Sequence, residues 1–116
     1  MDPRPAEALT PVGAWTVLVL SGVLEAVWAS ALAASDGLRR PVPTAVFAVT
    51  AAVSLAGLAH AMSVLPTGTA YAVWVGIGAA LTVAWSMLTG RESATPFKIL
   101  LVLGIVGCVI GLKLAG

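Results

Sequence analysis

The sequence predicts an all-α membrane protein with four transmembrane helices per subunit. Of its 116 residues, 59% are hydrophobic and 9% are charged, and the mean hydropathy is +1.04. So little polar material cannot cover a soluble domain of this size. Four apolar runs, about residues 12–34, 44–65, 67–89 and 97–114, approach the roughly 20 residues that cross a hydrocarbon core. Open strands in lipid would leave backbone groups unpaired, so these runs must be helices.

The same composition excludes several functions. A net charge of +1 offers neither a basic face for nucleic acid nor an acidic tail. The single Cys108 cannot form an intrachain disulfide and reads as a small packing residue. There is no cluster of metal-ligating side chains, no nucleophile beside a base and no phosphate loop. Nearly all of the chain lies in the spans, so no catalytic domain, bound metal or cofactor is expected. Enzyme chemistry has nothing to stand on.

Residues 1–11, MDPRPAEALTP, hold three prolines and mixed charge and read as a disordered lead. Residues 12–116 form the single transmembrane domain, with Pro11 suited to start its first helix. Small-residue triplets around Ala29–Ala33 imitate a signal-peptide cleavage site. The preceding stretch is too long for one, carries Glu25 and lacks a basic front end, so no cleavage is expected.

Glu25 is the one ionisable residue in the first run. A charge at bilayer depth costs on the order of 3 kcal/mol or more, and intramembrane acids are functional sites by default. Glu25 is therefore expected to bind both protons and a cation. Helical spacing puts Leu18, Ser21, Gly22, Trp28, Ala29 and Leu32 on its face. Gly22 and Ala29 either leave room for a ligand or let another helix approach. Trp28, three residues on, is placed to donate its N–H to the carboxylate or to stack on a flat cation. The alternative for Trp28 is plain aromatic packing.

Ser35-Asp36-Gly37 ends this helix, with Gly37 in a left-handed cap. Arg39 and Arg40 read as headgroup-level anchors. The second helix is poor in large residues, and Ser54 lies near its middle. A hydroxyl at that depth most often bonds its own i−4 carbonyl, which stands against a ligand role. His60, near the helix end, reads as a neutral interfacial histidine, with a second proton site as the alternative. After a tight turn at Pro66, Thr67, Tyr71, Trp74 and Gly78 share a stripe of the third helix. The Tyr O–H and Trp N–H need partners away from water. Gly76 and Gly78 invite a bend or close packing, and Trp85 falls at the far interface. The fourth helix carries Gly104, Gly107 and Gly111 and has no polar residue between Lys98 and Lys113. With Gly107 and Gly111 in GxxxG spacing, it reads as a packing or dimerisation helix.

Arg39, Arg40, Arg91 and Lys98 face one side of the membrane, and Arg4 and Lys113 the other. This weak bias favours both termini outside and is small enough to allow both orientations. Four short helices do not easily enclose an acid, a cation and a water path, so a dimer bringing two Glu25 together is expected. A cation favours the ionised carboxylate and a proton the neutral one. Binding of each therefore weakens the other, which is the reciprocal coupling an antiporter needs.

Two stretches go further. LPTGTAYAVWVGIGA, residues 65–79, resembles the third helix of the small multidrug resistance family of bacterial inner-membrane exporters, and the likeness runs over residues 14–114. SGVLEAVWASAL, residues 21–32, resembles the guanidinium-exporter branch of that family, where Trp follows the central Glu by three. The C-terminal GLK is similar to that branch as well. The resemblance implies a multi-pass protein of the bacterial inner (plasma) membrane, an antiparallel dual-topology homodimer exchanging guanidinium-type cations for protons. It implies that Glu25 is the shared site, surrounded by Trp28, Ser54, Tyr71, Trp74 and Gly22. Ala33 stands where relatives carry Lys, Leu38 where they carry Phe, and the N-terminal lead is extra. Some members of the branch work as paired heterodimers. The alternatives are a broader exporter of quaternary ammonium or aromatic cations, and a non-transporting membrane interaction subunit resting on the GxxxG surface.

Overall fold

A computed structural model describes residues 10–115. Among these residues are four helices: α1 (Pro11–Ala34), α2 (Pro41–Met62), α3 (Thr67–Leu88) and α4 (Pro96–Ala115). Each is long and apolar enough to cross a membrane. Most of the sequence assigned to the lead, residues 1–9, lies outside the described residues. Its last two residues start α1: the Thr10 side chain caps the helix by accepting from the Gly13 N–H, and Pro11 is the first helical residue, the arrangement that satisfies an end donor and wastes none.

The helix ends differ from expectation where proline is involved. The first loop was expected to run through Pro43, but α2 already begins at Pro41. A first-turn N–H has no partner within a helix, so proline costs nothing there and its fixed φ favours the start. Helix α2 also stops at Met62, and Ser63–Leu65 form the turn into Pro66. Helix α4 takes in Pro96 at its start for the same reason as α2.

The turn after α1 is more demanding than a single glycine cap. Asp36, Gly37 and Leu38 all have positive φ, at 52°, 68° and 70°. Two of them carry a Cβ, which costs about 1–2 kcal/mol each in the left-handed region. Buried Ser35 holds the turn: its Oγ donates to the Leu32 carbonyl at 2.6 Å and accepts from the Leu38 N–H at 3.0 Å.

The subunit is a slab, 49 × 35 × 18 Å in its principal extents. Helix α1 packs against both α2 and α3, while α4 packs chiefly on α3 and reaches α1 through Lys113, whose Nζ lies 5.2 Å from the Trp15 ring centroid. The apolar core, Leu18, Leu58, Ala61, Ala70, Val73 and Trp74, draws on the early turns of α1 and α3 and the late turns of α2. It therefore lies to one side of mid-depth, toward the α1 N-terminus. No residue of α4 is buried, and a Cβ at Gly104, Gly107 or Gly111 would meet nothing within 4 Å. Cys108 is exposed on this helix and is not a packing residue within the subunit.

Close approach between helices rests on other glycines. At Gly57 of α2 a Cβ would overlap the Ser21 hydroxyl and come 3.2 Å from the Ser21 Cβ. At Gly76 of α3 it would lie 2.7 Å from Val109 of α4. Helix α3 runs unbroken from Thr67 to Leu88, and at Gly76 the missing side chain lets α4 pack close. Gly57→Val is expected to force α1 and α2 apart, costing about 1–3 kcal/mol as overpacking does. Reversible unfolding in mixed micelles checks this.

Candidate functional site

The site is built where α1, α2 and α3 cross near mid-depth. Glu25 projects from α1 onto α3, and its carboxyl lies over the backbone of Gly78: a Cβ there would overlap Oε1 and Cδ and lie 2.8 Å from Cγ. Gly78 was expected to bend or tighten α3. It is the seat of the acid, which fits only because no side chain occupies the spot. Gly22, one turn before Glu25, does not open space for a ligand. A Cβ there would come 2.9 Å from the Ile77 side chain, so this glycine brings α1 onto α3 beside the acid.

A hydrogen-bonded chain ties the three helices together one turn below Glu25. The Trp74 Nε1–H of α3 donates to Ser54 Oγ at 3.1 Å, and Ser54 Oγ of α2 donates to the Ser21 carbonyl of α1 at 2.7 Å. Ser54 is fully buried and Trp74 nearly so. The local i−4 bond expected of Ser54 is instead made by Ser21, whose Oγ donates to the Val17 carbonyl at 2.7 Å, and by several threonines, such as Thr82 to Gly78. Ser54 escapes that habit because an acceptor on a neighbouring helix lies within reach and a donor arrives from a third. In helical geometry the Ser21 carbonyl also takes the Glu25 backbone N–H, so the chain ends on the turn that carries the acid.

The direct bond to the carboxylate expected of Trp28 does not form among the described residues, and neither Trp74 nor Tyr71 supplies one. Trp74 spends its only N–H on Ser54. Tyr71, 54% exposed, tilts against Trp74 with ring centroids 6.0 Å apart. It stands seven residues from Gly78, about 10 Å along the helix. The Trp28 ring meets Phe47 of α2 edge to face, 5.8 Å between centroids at 64°, and its N–H does not reach Glu25. Glu25 Oε1 and Trp28 Nε1 are left as two buried polar atoms without a hydrogen-bond partner among the described residues. Each such atom costs about 1–3 kcal/mol until something satisfies it. His60 is exposed and lies on the face of α2 turned away from Ser54.

Ser21, Phe47, Gly57 and Ile77 were not singled out as site residues by the sequence. Two of them had a readable signal: Ser21 lies on the Glu25 face by helical spacing, and Gly57 is a mid-span glycine three residues from Ser54 on one helix face. Ser54→Ala would leave the Trp74 N–H buried without an acceptor. Interhelical bonds of this kind contribute about 0.6–2 kcal/mol in membranes, so a stability loss of about that size is expected in a denaturation titration.

Four bilayer-length helices with a half-buried acid against a helix backbone define a multi-pass membrane protein with an ionisable site inside the membrane. The Small Multidrug Resistance protein family model matches residues 13–111. The chain is 46% identical over 102 residues to the guanidinium exporter of Yersinia pseudotuberculosis, covering 88% of this chain and 98% of that one. It is 45% identical over 101 residues to the guanidinium exporters of Citrobacter freundii and Salmonella typhimurium, covering 87% and 96%. The chain belongs to the small multidrug resistance family.

Proposed function

We propose that this protein is a proton-coupled antiporter of the bacterial inner membrane that exports guanidinium or small guanidinyl cations. The observation that carries the reading is the Glu25 carboxyl, seated on Gly78 at mid-depth with a buried oxygen that no donor among the described residues satisfies. A carboxylate takes a planar guanidinium through two parallel N–H···O bonds, and a proton neutralises it as well. One site that holds either, but not both, couples the two fluxes. The relatives named as guanidinium exporters support the choice of substrate.

Glu25 is the shared proton and substrate site, and Trp28, Ser54, Tyr71, Trp74 and Gly22 form its surround. Ser54 and Trp74 act by fixing the three helices around the acid, and Trp28 supplies an aromatic wall. The working unit is an antiparallel dual-topology homodimer. The uncovered Gly104, Gly107 and Gly111 on α4 and the 18 Å thickness of a slab that leaves Glu25 half-open support a second subunit closing the site.

The test is a substrate panel on proteoliposomes, read as currents on a solid-supported membrane. Guanidinium and methylguanidinium are expected to give proton-coupled currents, and tetraphenylphosphonium little or none. A larger response to tetraphenylphosphonium would favour the broad multidrug exporter. Silence to every cation, with a larger protein copurifying, would favour the interaction subunit. Silence relieved by adding a paralogous chain would replace the homodimer with a heterodimer.

A further inference from the structure

We propose that the groove between α1 and α4 holds one anionic phospholipid, with the headgroup phosphate on Lys113 and an acyl chain lying along α1. The groove has a volume of about 490 Å³, within the range of ligand-sized sites. Val12, Val19 and Leu20 of α1 and Ile110 of α4 line it with exposed apolar side chains, and buried Val73 of α3 forms its floor. Thr16 also lines it, but its hydroxyl donates to the Val12 carbonyl of its own helix at 2.9 Å. The walls therefore suit a hydrocarbon chain. From Val12 to Leu20 the groove runs eight residues, about 12 Å along a helix axis, against about 15 Å for the hydrocarbon of one leaflet.

At its outer end the groove changes character. Lys113, in the last turn of α4, holds its Nζ 5.2 Å from the centroid of the Trp15 ring, just past the first turn of α1. Indole rings and lysines at helix ends sit at headgroup level. The ring accepts from one side of the ammonium, which has three donors, so donors remain for a phosphate. The described part of the chain supplies no anion there. Its carboxylates are Glu25 at mid-depth and Asp36 and Glu92, which lie in the turns at the opposite end of the helices. Arg39, Arg40, Arg91 and Lys98 are at that opposite end too, so Lys113 is the one described Lys or Arg at its own end. A lone cation closing an apolar groove at headgroup depth complements a lipid that carries one negative charge. A second subunit seated on the α4 glycines would leave the groove open: Gly107 and Gly111 are each two residues from Val109, about 200° around the helix. The site is also separate from the acid, since Trp15 stands ten residues, about 15 Å, from Glu25 along α1.

The experiment is native mass spectrometry of the full chain, released from micelles that contain equal amounts of palmitoyl-oleoyl phosphatidylglycerol and phosphatidylcholine. Wild type is expected to retain phosphatidylglycerol about fivefold more than phosphatidylcholine, the factor that one lysine near an anionic surface supplies. Lys113→Gln should retain the two lipids equally, and Lys113→Arg should keep the preference. Lys98→Gln removes the same charge at the opposite end and should keep it as well. Thr16→Phe, at an exposed position, fills the groove and spares the lysine, and should lose the retained phosphatidylglycerol. Glycerol 1-phosphate, a headgroup without chains, should not displace the lipid. A wild type without preference, or a preference that survives Lys113→Gln or falls equally in Lys98→Gln, overturns the proposal. Displacement by glycerol 1-phosphate would reduce the site to an anion contact with no chain in the groove. Wild-type lipid retention by Thr16→Phe, with loss of the dimer, would give the groove to a second copy of the chain and overturn the proposal too.

Discussion

Glu25→Gln is expected to abolish proton-coupled guanidinium exchange while leaving the helices assembled. Glutamine keeps the shape of glutamate and can still lie over Gly78, but it carries no charge and binds no proton near neutral pH. A cation 4 Å from a carboxylate at an effective dielectric of 20 gains about 4 kcal/mol, which corresponds to roughly a 1,000-fold loss of affinity when the charge is removed. Transport currents in proteoliposomes should therefore fall to the protein-free background across pH 6–8. Circular dichroism should be unchanged. Exchange by Glu25→Gln at more than about a tenth of the wild-type rate would remove the carboxylate from the mechanism.

The second large effect is expected at a residue with no functional group. In Gly78→Ala the new methyl claims the space of the Glu25 carboxyl. The overlap reaches back to Cγ, so a turn of the terminal carboxyl alone cannot relieve it. The whole side chain must leave its rotamer, at about 0.5–1.5 kcal/mol for an unfavourable one, and the acid is displaced from its position among α1, α2 and α3. A displacement of about 1 Å in a reacting group costs on the order of 100-fold in rate. Gly78→Ala should thus lose tenfold or more in guanidinium exchange with little loss of folded protein, and Gly78→Val should lose more of both. Gly68→Ala is the control on the same helix, since a Cβ there meets nothing within 4 Å. Equal transport by Gly78→Ala and Gly68→Ala would mean that the acid does not need its glycine seat. Initial rates normalised to protein in the vesicles provide the measurement.

These two predictions differ in how far the sequence could have made them. The prediction for Glu25 could be made at once, because an acid in an otherwise apolar span has no ordinary reason to be there. The partnership with Gly78 was not visible. Helical periodicity put Gly78 on the stripe of Tyr71 and Trp74 but gave no measure of where α3 crosses α1. The same limit explains the hydrogen bonds. That Trp74 and Ser54 would need partners followed from their chemistry, and that they would take each other did not. Trp28 shows the same: its spacing pointed to Glu25, and its edge-to-face contact with Phe47 of another helix could not be read.

The sequence alone determined that this chain has four helices fit to cross a membrane, roughly where each begins and ends, and that one carboxylate lies within them. Those properties follow from the free energy of moving each residue between water and lipid, which is additive along a chain and needs no knowledge of neighbours. Tertiary structure decided which glycine receives the acid and which hydroxyl bridges three helices. Inside a bilayer the helices are equally at home against lipid or against each other, so their contacts depend on side-chain shape and on directional bonds at the crossing points. Shape and direction exist only once the helices are placed.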